Sequence, residues 1–193
     1  MGPKPIIDRV PRYAAIDIGS NSVKMLAAEV GPDNVMVNLA EAREVTRLGA
    51  SVFETGSISN EAMDAVCTVL AGMARTYQAH EVLAVRAVAT AAVRDASNQS
   101  IFLERASNAI GSPVEIISGM EEARLIHLGV ESRWPHPDGN VLIIDIGGGS
   151  VEFILGEDGK FQEAYSIPLG AVRMTGMFLD SDPPSAAELA QME

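Results

Sequence analysis

Cysteine, cationic side chains and long apolar runs are what this 193-residue chain has least of. Cys67 stands alone, so an intrachain disulfide and a cysteine-rich zinc knuckle are both excluded. Lys and Arg number 14 against 26 Asp and Glu, and the resulting charge of -12 repels duplex nucleic acid and anionic membranes wherever cations are not locally concentrated. The apolar runs fall far short of the roughly 20 residues that cross a bilayer, and no basic start leads into an apolar leader. A soluble, cytoplasmic protein with neither membrane nor duplex partners is the expectation. Two nucleotide signatures are also missing: no Gly-x-x-x-x-Gly-Lys-Ser/Thr, and no Gly-x-Gly-x-x-Gly opening a helix.

What is present supports a real core. Hydrophobic residues make up 47% of the chain and charged ones 21%, which excludes disorder as the main state. Residues 1–11 read as an extended lead-in. Tyr13–Ile18, Ser22–Val30 and Val35–Val45 then read as an antiparallel meander broken by turn residues. From Asn60 to Gln78, Met63, Val66, Leu70, Met73 and Tyr77 recur at three- and four-residue steps, the spacing of an amphipathic helix, with Cys67 as a small buried hydrophobe on it. A strand around Val85 and Ala87, a helix over 99–109, a strand over 114–117 and a helix from Gly119 to about Val130 follow. This order predicts an α/β fold, a mixed sheet covered by helices. A second apolar strand over 141–146 has meander partners over 150–155 and 161–167, and a helix starts near Ala186. We expect a first lobe over 12–125 and a partial second lobe over 126–193.

The chemistry is carried by an internal repeat. Asp17-Ile-Gly-Ser-Asn-Ser-Val-Lys24 matches Asp145-Ile-Gly-Gly-Gly-Ser-Val-Glu152 at five of eight positions, at an offset of 128 residues. Each copy describes a hairpin with a carboxylate at the end of its first strand and a turn of small residues. Gly19 in one copy and Gly147, Gly148 and Gly149 in the other let backbone amides converge, and Ser22 and Ser150 add hydroxyls, a nest suited to phosphoryl oxygens. Asp17 and Asp145 repel phosphate directly and become useful with magnesium between carboxylate and phosphate. Ser118-Gly-Met-Glu121 has capping-box spacing, which gives Glu121 a structural task and leaves Glu122, about 100° further round the helix, free to face elsewhere. Standing near a helix N-terminus, Glu122 is expected to stay ionised. Arg94 follows a buried strand and is placed either to bind phosphate or to pair with a nearby acid; Lys24 is left equally open.

Ala15-Ile-Asp-Ile-Gly-Ser-Asn-Ser22, Ala89-Thr-Ala-Ala-Val-Arg94, Ile117-Ser-Gly-Met-Glu-Glu-Ala-Arg-Leu125, Ile144-Asp-Ile-Gly-Gly-Gly-Ser150 and Pro168-Leu-Gly170 together resemble the exopolyphosphatase and guanosine pentaphosphate phosphatase family of the actin-like ATPase superfamily. The resemblance implies an actin-like, ribonuclease-H-like lobe with a mixed five-stranded sheet, the beginning of a second such lobe, and hydrolysis of terminal phosphates of polyphosphate or a guanosine polyphosphate in the cleft between them. It implies Glu122 as the catalytic base, phosphate loops at Gly19, Ser20, Asn21 and Ser22 and at Gly147, Gly148, Gly149 and Ser150, and Arg94 facing phosphate. It also implies Mg²⁺ at Asp145 and Glu152, with Asp17 as their symmetry mate. Val151 stands where the family usually has threonine. Two rival readings are an ATP-using kinase or ATPase of the same superfamily and a non-catalytic binder of guanosine polyphosphates. The chain alone is expected to be inactive or weak, and a homodimer through regions missing here is compatible with the resemblance.

Overall fold

The computed structural model describes residues 10–32 and 35–192; most of the expected lead-in, and Asp33 and Asn34 of the first long turn, lie outside the described residues. Strands β1 (Arg12–Ile18), β2 (Ser22–Val30) and β3 (Met36–Val45) form the expected meander. β4 (Ala84–Ala89) and β5 (Val114–Ile116) then add in parallel beside β1, giving the order β3-β2-β1-β4-β5. This is a mixed five-stranded sheet, as the resemblance implies for the first lobe.

The apolar stripe read from the sequence is what seats the main helix. α2 (Asn60–Ala79) starts at Ser59, whose side chain accepts from the Ala62 amide at 3.1 Å, and it buries Met63, Val66, Leu70, Met73 and Tyr77. Opposite it, α4 (Gln99–Ile110) buries Phe102, Ala106 and Ile110, and the Tyr77 hydroxyl donates to the Ile110 carbonyl between them. Ile16, Ile18, Val23 and Met25 meet these helices in one core, where each fully buried large side chain contributes about 1.5–3 kcal/mol. Cys67 departs from its reading: it is half-buried rather than core, midway along α2, and partial burial raises its thiol pKa.

Three short helices were not predicted. α1 (Leu48–Thr55), α3 (Ala91–Asp95) and α6 (Ala171–Phe178) each begin without a side-chain cap. The second sheet is the antiparallel ribbon β6 (Asn140–Ile146), β7 (Val151–Glu157) and β8 (Lys160–Ile167), and α7 (Ala186–Met192) closes the described chain. α5 (Gly119–Arg133) lays Ala123 and Ile126 against Ile143, Ile154, Phe161 and Ala164 of this ribbon. Its first turn is tied to the other unit instead, Glu121 to Arg86 of β4 and Glu122 to Arg94 of α3. One helix therefore spans the region where the two sheets meet.

Candidate active site

The two copies of the repeat fold alike. The Gly19 amide donates to the Ser22 carbonyl at 3.1 Å, and the Gly147 amide to the Ser150 carbonyl at 3.0 Å, so each motif is a tight hairpin between paired strands. In the first loop the Ser20 carbonyl accepts from Gly49 at 2.7 Å and the Asn21 carbonyl from Thr46 and Arg47 at 3.0 and 2.9 Å. In the second, the carbonyls of Gly147 and Gly148 accept from the Ala171 and Arg173 amides at 2.9 and 3.0 Å, and that of Gly149 from the Arg173 Nε at 2.8 Å. A trans peptide points its N–H opposite its C=O. Carbonyls drawn outward toward α1 and α6 therefore leave the following amides turned the other way, and the loops border one cleft of about 240 Å³.

The loops touch across that cleft. A Cβ on Gly149 would lie 2.5 Å from Ser20 Oγ and 2.7 Å from Ala91 Cβ, and one on Gly170 would overlap the Gly148 carbonyl carbon. Close approach of neighbouring side chains at Gly149 and of backbone at Gly170 requires glycine at these positions. Ser20 is buried, and its Oγ accepts from the Ala92 amide at 3.2 Å, which docks the first loop on the start of α3.

The glutamate pair separates as its helical spacing implies. Ser118 caps α5 by accepting from the Glu121 amide at 3.2 Å. The return half of the expected capping box is replaced: the Glu121 carboxylate accepts from Arg124 Nε and NH2 at 2.7 and 2.8 Å and faces Arg86 at 3.5 Å, because charged donors compete better than a neutral amide. Hydrogen bonds from Arg124 hold its pKa down at about 2. Glu122 borders the cleft, and its Oε2 is buried with no hydrogen-bond partner, 3.7 Å from Arg94. Burial, followed by repulsion from Glu152, lifts its pKa to about 7, with Arg94 opposing and Asp17 and Asp145 adding to the rise. The sequence reading left it ionised by the helix terminus; burial among carboxylates outweighs that effect.

Asp17, Gly19, Ser20, Asn21, Ser22, Asp145, Gly147, Gly148, Gly149 and Ser150 all line the same cleft as Glu122. Arg94 does not. It rises from the end of α3, donates to the Ile117 carbonyl at 2.8 Å and lies 3.7 Å from Glu122 Oε2, the pairing with a nearby acid that the sequence left open beside a phosphate contact. Glu152 is also behind the lining, fully buried beside its cross-strand partner Asp145 and accepting from Ser166 Oγ at 2.7 Å. Asp17 has Lys24 as partner at 3.6 Å, and burial raises its pKa despite that cation. Sequence reasoning missed Thr90, Arg43 and the start of α6 in the lining. Thr90 left a trace, inside the block Ala89–Arg94; Arg43 is placed by the strand register, where it faces Lys24 across the meander.

Among the described residues, no three Asp, Glu, His or Cys side chains converge as a dedicated metal cage. Magnesium needs less: one or two carboxylates complete a shell otherwise made of substrate phosphates and water. Asp145 opposite Glu152, with the unpartnered Oε2 of Glu122 nearby in charge, is a hard-oxygen donor set of that kind.

Among the described residues, no helix is long and apolar enough to cross a membrane. Exopolyphosphatase 2 of Mycobacterium tuberculosis is 36% identical over 187 residues, covering 93% of this chain and 58% of that protein. A guanosine-5'-triphosphate,3'-diphosphate pyrophosphatase of Aliivibrio fischeri is 39% identical over 171 residues, 88% of this chain and 34% of its own. The crystal structure of an exopolyphosphatase from Cytophaga hutchinsonii superposes with a TM-score of 0.86 at 32% identity, over 93% of this chain and 57% of that one. The chain thus spans less than two thirds of the length of the relatives it matches. With residues 26–193 matching its family description and the fold agreeing, the chain belongs to the Ppx/GppA phosphatase family.

Proposed function

We propose that this chain supplies the phosphate-binding cleft and the general base of a hydrolase that removes the terminal phosphate of inorganic polyphosphate or guanosine pentaphosphate. The observation that carries the reading is Glu122: a carboxylate held at about pKa 7 in a cleft bordered by two amide-rich turns. A base poised near neutrality accepts a proton at working pH, and general-base assistance is worth about 10²–10⁴ in rate.

Glu122 orients a water and takes its proton as the water oxygen attacks the terminal phosphorus. The bond from that phosphorus to the bridging oxygen breaks, orthophosphate is released, and the shortened polyphosphate or the guanosine tetraphosphate leaves with the bridging oxygen. Amides of Asn21 and Ser22 on one side and of Gly148, Gly149 and Ser150 on the other hold the phosphoryl oxygens without needing to reorganise, which is where most stabilisation of such a transition state arises. Arg94 keeps Glu122 aligned from behind, and Lys24 partly neutralises Asp17 at the cleft edge. Magnesium bound at Asp145 and Glu152 would offset charge developing on the phosphate.

Release of orthophosphate by the full-length protein, measured with magnesium on both substrates, tests this directly. Release from either, lost in Glu122→Gln, is the expected outcome; binding of both without release would refute hydrolysis.

A further inference from the structure

The two loops are pinned by different means. The first has its outward carbonyls held entirely by backbone amides, those of Thr46, Arg47 and Gly49. The second depends on a side chain for its last carbonyl, that of Gly149, and the side chain is Arg173. The same guanidinium reaches into the other lobe: its NH2 meets the Asp95 carboxylate at 2.5 Å, and its carbon lies 4.1 Å from the centroid of the Phe53 ring. Arg173 is only 16% exposed, and its own amide holds the neighbouring Gly148 carbonyl. One residue therefore fastens two of the three carbonyls of the second loop and anchors them to α1 and α3 of the first lobe.

We infer that Arg173 is a positioning residue: it keeps the Ser150 amide turned into the cleft and keeps the second phosphate loop in register with the first. Asp95 follows Arg94 in the chain, so the bracket ends one residue from the group that backs Glu122. The planar fork serves three partners at once, carbonyl, carboxylate and ring face, and a lysine ammonium cannot reproduce that arrangement. This inference rests on the phosphate-binding reading of the loops, and its test separates the two.

In the full-length protein, amide hydrogen exchange over 147–150 and over 19–22 is compared with affinity for inorganic phosphate in wild type, Arg173→Gln, Arg173→Lys and Asp95→Asn. A hydrogen bond to a charged group is worth about 1.5–3 kcal/mol, so Arg173→Gln should weaken phosphate binding about tenfold or more. Exchange should rise by a similar factor at Gly149 and Ser150 and by less than about twofold in the first loop. Arg173→Lys should not restore either. Asp95→Asn, on the exposed end of the bracket, should give the same pattern at about threefold, and it carries the test should Arg173→Gln fail to fold. Equal acceleration in both loops, or unchanged phosphate affinity, overturns the positioning role. Loop-selective exchange in a protein that releases no phosphate from either substrate would leave Arg173 in place and refute the hydrolase reading; release with unaltered exchange in the variants would do the reverse.

Discussion

The two hairpins share a sequence and a turn, yet they live in opposite surroundings. Ala14, Ile16 and Ile18 of β1 are at most 4% exposed, whereas Leu142, Ile144 and Ile146, their equivalents 128 residues on, are 62%, 51% and 70% exposed. The first hairpin is fixed by a core of its own beneath α2 and α4; the second is held by α5 on one face and by contacts of Gly148, Gly149 and Arg173 with the first lobe. Charge differs at the matching position too. Asp17 faces Lys24, a pair of opposite charges, while Asp145 faces Glu152, a pair of carboxylates. The repeated hairpin thus gives the cleft one half that is deeply packed and charge-balanced and another that is more exposed and anionic.

The largest effect expected is on turnover. Glu122→Gln should lower kcat by about 10²–10⁴, equivalent to roughly 3–5 kcal/mol at the transition state, with substrate affinity nearly intact. Steady-state phosphate release alongside substrate binding checks this. The contrast in burial is sharpened by stability: Ile16→Ala should cost about 2–5 kcal/mol in chemical denaturation of the 193-residue chain, and Ile144→Ala about 0.5 kcal/mol or less. Similar costs at both positions would mean that the second hairpin is more enclosed than its exposure indicates.

The contrast in charge is broken by metal dependence. Asp145→Asn should raise the magnesium concentration for half-maximal turnover at least about tenfold, since even supporting partners of a metal ligand typically cost that much. Asp17→Asn should shift it far less, because Lys24 already compensates that carboxylate. Equal shifts would erase the distinction between the hairpins. The smallest effect belongs to Glu121→Gln: the side chain lies on the surface with Arg124 and Arg86, so turnover and thermal midpoint should stay close to wild type.

Strands and the long helix were legible because their signals are local. The 63–77 stripe has helical period, and the meander is punctuated at Gly19 and Gly31. The short helices were not legible: α1 is entered through Arg47 in a left-handed conformation, and α3 and α6 have no capping side chain to announce them. Repeat alignment was enough to bring the two turns and their aspartates to one cleft, though not Thr90, Arg43 or the start of α6. It could not choose between the two readings of Arg94, which meets both the Ile117 carbonyl and Glu122, or reveal Arg173, whose partners lie at positions 53, 95 and 149. Nor could it anticipate the Glu122 pKa, a consequence of burial and of carboxylates brought together from β1, β6 and β7.

That pKa has a consequence for folding as well as for catalysis. Burial lifts the Glu122 carboxyl from 4.5 to about 7, so the folded protein holds this proton more tightly than the unfolded chain does. Its contribution therefore favours folding most below the unfolded value and is lost as pH rises toward 7. Without magnesium, Glu122→Gln should accordingly be more stable than wild type at pH 8 and lose that advantage near pH 4.

The central claim is that two adjacent glutamates have been driven to opposite tasks, one titrating near 2 and the other near 7. Single-turnover phosphate release at subsaturating substrate, followed across pH 5–9 in the full-length protein for wild type, Glu121→Gln and Glu122→Gln, tests it most directly. The account predicts a wild-type rate that rises with pH through a midpoint near 7, the same profile in Glu121→Gln, and a slow rate without that limb in Glu122→Gln. A limb that survives in Glu122→Gln, or that disappears with Glu121→Gln, would contradict it.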